Sequence, residues 1–120
     1  MRQGGKGVAV IAVFTTATTD STAGKYHVNQ FLRFGALNAT HFRVTQVNNA
    51  ADDPFVADHV RRHTGVYFTG GDQLRITNSL RPNGRETLVM QAIRQVFNAG
   101  GVVAGSSAGA ACLAGSLMVI

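Results

Sequence analysis

Val8-Ala9-Val10-Ile11-Ala12-Val13-Phe14 is an unbroken apolar run, rich in β-branched side chains. A strand with one wet face alternates polar and apolar residues, whereas a strand covered on both faces does not. The run therefore predicts a strand inside a parallel sheet. Thr15 to Asp20 then read as a polar loop, with Asp20 or Ser21 placed to cap a following helix. In that helix Val28, Phe31, Leu32 and Gly35 fall at i, i+3, i+4 and i+7, one face turned to the core.

Further along, Phe42-Arg43-Val44-Thr45-Gln46-Val47 alternates like a strand nearer the sheet edge. Asp53-Pro54 is a helix start, an N-cap acid followed by proline at the first helical position. Phe55, Val56, His59, Val60 and His63 are expected on one face of this short helix. Gly65-Val66-Tyr67-Phe68 reads as a third strand that stops at Thr69-Gly70-Gly71. A helical region interrupted near Arg81-Pro82-Asn83-Gly84 follows. From Glu86 onward Leu88, Val89, Ala92, Ile93, Val96 and Phe97 make an apolar stripe that ends at Gly100-Gly101. Val102-Val103-Ala104 is the fourth strand. This alternation predicts an α/β fold over residues 1–120, a single domain whose parallel sheet carries helices on both faces. Ligands of such sheets bind beyond the carboxyl ends of the strands.

Composition narrows the function classes. Hydrophobic residues make up 45% of the chain and charged residues 14%, which excludes a disordered protein. The net charge is +5, but the basic residues are scattered and only Arg61-Arg62 are adjacent, so no nucleic-acid partner is expected. No apolar stretch is long enough for a membrane span. Cys112 is the single cysteine, which rules out an internal disulfide. His59 and His63 have the spacing of a zinc pair, but the segment reads His-Val-Arg-Arg-His. It lacks the glutamate after the first histidine, and two arginines oppose a cation, so no metal site is expected. His27 and His41 stand alone and read as surface or capping residues. No cofactor is implied, and a cytoplasmic location is expected.

Two glycine-rich turns lie at strand ends. Gly105-Ser106-Ser107-Ala108-Gly109 fits G-x-S-x-G, the pattern of a nucleophile elbow. The chemistry needs a sharp strand-to-helix turn that projects the serine. The small residues Gly105, Gly109, Ala110 and Ala111 let strand and helix pass closely. Ser107 is the candidate nucleophile, and the Ala108 N–H at the helix start is a candidate oxyanion donor. The other turn, Phe68-Thr69-Gly70-Gly71-Asp72-Gln73, admits two readings. Asp72 could simply cap the next helix. Alternatively, the Gly71 N–H is an oxyanion donor, with Gln73 and Asp72 holding substrate.

The two motifs, with Ser107 standing 34 positions after Gln73, resemble the cyanophycinase group of the peptidase family that also contains aspartyl dipeptidase. The resemblance runs from the Val8–Phe14 run and its Thr15-Thr16 loop to Met118-Val119-Ile120. It implies a fold like class-I glutamine amidotransferases (flavodoxin-like) and a serine exopeptidase that hydrolyses aspartyl-linked peptides, releasing β-Asp-Arg from an aspartate-backbone polymer. It makes Ser107 the nucleophile, Gly71 and Ala108 the oxyanion hole, and Gln73 a substrate contact. The family carries its histidine and acid well downstream of the elbow, and this chain ends thirteen residues after Ser107. The expectation is an incomplete fold, the N-terminal part of a serine peptidase catalytic domain lacking the triad histidine and acid. A sheet edge left open by such a chain favours self-association as a homodimer. The competing reading is a non-catalytic α/β module that binds acidic peptides or anions through backbone amides.

Overall fold

The computed structural model describes residues 9–105. Its elements are β1 (Val10–Phe14), α1 (Ala23–Arg33), β2 (Asn38–Phe42), α2 (Pro54–Arg61), β3 (Gly65–Phe68), α3 (Gln73–Leu80), α4 (Leu88–Asn98) and β4 (Val102–Gly105). Short 3-10 turns at Ala50–Asp52 and Pro82–Gly84 precede α2 and α4. All strand pairings are parallel, in the order β2-β1-β3-β4. The expected parallel α/β fold is therefore present.

β1 explains its own sequence. It is flanked by β2 and β3, and Ile11, Ala12, Val13 and Phe14 are each no more than 1% exposed. Ala9, Ile11, Val13 and Ala39 form one apolar cluster with Val28 and Phe31 of α1. Ala12, Phe14, Val66 and Phe68 face the opposite way, into a larger cluster with Val60 of α2 and Val89, Met90, Ile93 and Val96 of α4. Two cores thus meet at one strand, and each needs an apolar residue at every second position. At the carboxyl end Phe14 stacks on both Phe42 and Phe68, with ring centroids 5.3 Å apart in each pair.

The second strand lies four residues earlier than its sequence signal, at Asn38–Phe42 rather than 42–47. The reason is local. Asn48 accepts from the Thr45 and Ala50 N–H groups and donates through Nδ2 to the Arg43 carbonyl, while Thr45 Oγ1 accepts from the Asn48 N–H. These side-chain bonds wind the alternating stretch into a turn before it can pair. Val44 is still buried, but from a loop. The edge position of the strand is as expected.

Helix ends follow their chemistry. Asp53 caps α2, accepting from the Phe55 N–H, with Pro54 at the first helical position. Thr87 caps α4 through the Met90 N–H at 3.2 Å. Beyond α4, Gly100 adopts φ +95° and the Gly101 N–H bonds back to the Val96 carbonyl, closing the helix. Two details depart from expectation. Neither Asp20 nor Ser21 occupies the cap of α1; Thr22 does, and Asp20 accepts from the Thr22 N–H and hydroxyl instead. On α2 the buried face is Ala57 and Val60, leaving Phe55 83% exposed at the rim.

Candidate active site

At the carboxyl end of β3 the Thr69 N–H bonds to the Phe14 carbonyl, extending the ladder by one residue. The chain then turns through Gly70 and Gly71. Gly71 has φ +145°, and a Cβ there would lie 2.1 Å from the Ala17 carbonyl oxygen. Only glycine fits, on both backbone and steric grounds. The next N–H, from Asp72, donates to the same Ala17 carbonyl at 2.7 Å. The turn after β3 is thus fastened to the loop after β1. Those two strands are neighbours, and the chain leaves β1 for opposite sides of the sheet, so this junction is the switch point where open α/β sheets bind ligands.

Among the described residues neither Gly70 nor Gly71 donates to a main-chain carbonyl. Asp72 accepts from the Leu74 N–H at 2.9 Å and so caps α3. Gln73 is the exposed first residue of α3.

The fourth strand ends at the same level, where the second motif begins. Its last residue, Gly105, is the register partner of Phe68, the last residue of β3. The chain therefore leaves both strands at one level, with strand axes about 4.8 Å apart. Gly71 comes three residues after Phe68 and Ser107 two after Gly105. Ser107 and Ala108 themselves, with the rest of the elbow and Cys112, lie outside the described residues.

A second feature of this end of the sheet has no signature in the sequence. The loops after β1 and β2, together with α3, enclose a cleft of about 560 Å³ whose walls include Thr15, Thr16, His41, Arg43 and Arg75. His41 Nε2 lies 2.6 Å from Thr15 Oγ1. Partial burial, and then the Arg43 guanidinium, hold the His41 pKa below its ordinary value. The residues come from three separate segments, so no motif could have grouped them; only the Thr15-Thr16 loop stood out beforehand.

The four histidines are spread over the sheet and its helices. His41 is on β2, three strand spacings from β4, or roughly 14 Å. His63 is buried just before β3, at the opposite end of the strands, where Nδ1 meets the His59 carbonyl at 2.8 Å and Nε2 meets Thr40 Oγ1 at 3.0 Å. Burial lowers its pKa first, partly offset by the bond to His59. His59 lies edge-on to Phe42, and His27 packs on Tyr67. Among the described residues no group of three potential metal ligands occurs. No described helix is long and apolar enough to cross a membrane.

The sequence profile of peptidase family S51 matches residues 5–120. This chain belongs to that family. It is 33% identical over 109 residues to a cyanophycinase from Geminocystis herdmanii (strain PCC 6308), an alignment covering 88% of this chain and 38% of the relative. Its fold superposes on a peptidase from an acI-B1 actinobacterium with a TM-score of 0.68 at 25% identity, covering 87% of this chain and 43% of that one. A peptidase E-like protein from Listeria monocytogenes EGD-e gives 0.63 at 18% identity, covering 88% and 49%. The fold is thus that of the class-I glutamine-amidotransferase-like (flavodoxin-like) group. The S51 chain spans between 38% and 49% of the length of these relatives.

Proposed function

We propose that this S51 chain carries the nucleophile half of a serine exopeptidase acting on aspartyl-linked peptides such as cyanophycin. The observation that carries the reading is the register Phe68↔Gly105, which starts the Gly70-Gly71 turn and the Gly105–Gly109 elbow side by side. Ser107 attacks the scissile carbonyl carbon. The N–H groups of Gly71 and Ala108 receive the oxyanion, Gln73 contacts substrate, and water then hydrolyses the acyl-enzyme.

Ser107 needs a general base, and none of His27, His41, His59 or His63 stands downstream of the elbow, where the family resemblance places its histidine. In this reading the base and its acidic partner belong to the downstream part of the family's domain. The test is release of β-Asp-Arg from cyanophycin by the protein as its gene encodes it, with Ser107→Ala in parallel. Dipeptide release that falls at least about 10³-fold in the variant supports the assignment. Release unchanged by Ser107→Ala refutes it.

A further inference from the structure

The cleft between the loops after β1 and β2 has a chemistry that the nucleophile turns do not use. Arg43 enters it from the residue after β2, and Arg75 from α3. Among the described residues neither arginine pairs with a carboxylate; the ion pairs there engage Arg61, Arg85 and Arg94. Both cations line the cleft, and no ion pair among the described residues engages them. The one acid at the rim, Asp20, is engaged by the N–H and hydroxyl of Thr22 at 2.9 and 2.7 Å.

Hydroxyls complete the lining. Thr16 is 3% exposed, and its Oγ1 has no hydrogen-bond partner among the described residues. A buried hydroxyl left unpaired is destabilising, so such a group marks a place where a polar partner belongs. The same loop joins the cleft to the proposed oxyanion turn, because Ala17, the next residue, holds the Asp72 N–H and packs beneath Gly71. A group bound by Thr16, Arg43 and Arg75 would thus lie one loop away from the scissile bond. The lining favours an anion, and on a peptidase acting on aspartyl peptides that anion is carried by the substrate.

We infer that this cleft holds a free carboxylate of the peptide substrate, with Arg43 and Arg75 as its specificity-determining cations and the Thr16 hydroxyl as a donor. The inference rests on the peptidase reading for the identity of the ligand. Bidentate guanidinium–carboxylate bonds give the geometric selectivity that a point charge would not.

Calorimetric binding to the Ser107→Ala protein, as its gene encodes it, separates this inference from the hydrolytic one, because no turnover is needed. The ligands are β-Asp-Arg and its two mono-amides, each lacking one carboxylate. One amide should bind about tenfold or more weakly than the dipeptide, and that difference should disappear in Arg43→Gln/Arg75→Gln. Each arginine variant alone should lose part of it, with thermal midpoints unchanged because both side chains are exposed. Equal binding of all three ligands overturns the inference, as does discrimination that survives in the double variant. Inorganic phosphate binding more tightly than the dipeptide would make this a phosphate site and overturn it too. Failure of hydrolysis with carboxylate discrimination intact would sink the peptidase reading alone.

Discussion

The two halves of the sheet's carboxyl end are built on opposite principles. On the β3/β4 side, Gly70, Gly71 and Gly105 contribute no side chains, and the backbone does the positioning: φ +145° at Gly71, the Asp72 N–H on Ala17 and the Phe68↔Gly105 register. On the β1/β2 side, side chains form the surface, with Thr16, His41, Arg43 and Arg75 lining the cleft. The difference teaches how one α/β scaffold divides labour. In the proposed function, bond making falls to the place cleared of side chains. In the proposed carboxylate site, holding of substrate falls to Arg43 and Arg75. The shared element is the loop after β1, which touches both sides.

The sharpest way to break this division is Ser107→Ala, expected to cost at least about 10³ in hydrolysis while leaving carboxylate binding intact. Gly71→Ala comes next. Its new Cβ collides with the Ala17 carbonyl, and the backbone is strained, so a loss of about 2 kcal/mol or more in unfolding free energy is expected by chemical denaturation. A variant as stable as the parent would show that the turn is not constrained as described. Asp72→Ala should cost about 1 kcal/mol by removing the α3 cap, and Asp72→Asn should restore most of it. If Asn restores stability but not peptide affinity, Asp72 serves substrate as well as helix.

The smaller effects concern charge. His63 is buried and its pKa is lowered, chiefly by desolvation. Its stabilising contribution is therefore complete above the unfolded value of about 6.5. It is lost as pH falls through the lower folded value, because the unfolded chain takes up the proton first. The lowered values of His27 and His41 act with the same sign. Urea midpoints should fall from pH 7.5 to pH 5.5, and less so in His63→Gln. Arg43→Gln should have the least effect on the fold, within about 0.5 kcal/mol, while weakening carboxylate binding.

Much of this was legible in the sequence, for identifiable reasons. The unbroken run ending at Phe14 could only be a strand with two cores, and Asp53-Pro54 and Gly100-Gly101 mark helix ends through conformations few other residues favour. The Gly70-Gly71 turn announces itself because Gly71 takes a φ and a close approach to Ala17 that only glycine allows. The second strand was misplaced because Asn38-Ala39-Thr40-His41-Phe42 has little apolar pattern of its own and is selected by pairing with β1, while Asn48 diverts the better-patterned stretch. The cationic cleft was illegible for a related reason. Thr16, Arg43 and Arg75 are adjacent only after the sheet is ordered, and each alone resembles an ordinary surface residue.

The central claim, that Ser107 is a nucleophile served by the neighbouring glycine turn, is tested most directly by fluorophosphonate labelling of the protein as its gene encodes it, with the adduct mapped by peptide mass spectrometry. The account predicts one adduct, on Ser107, kept in Ser106→Ala and absent in Ser107→Ala. An adduct on Ser106, or labelling that persists in Ser107→Ala, would contradict it.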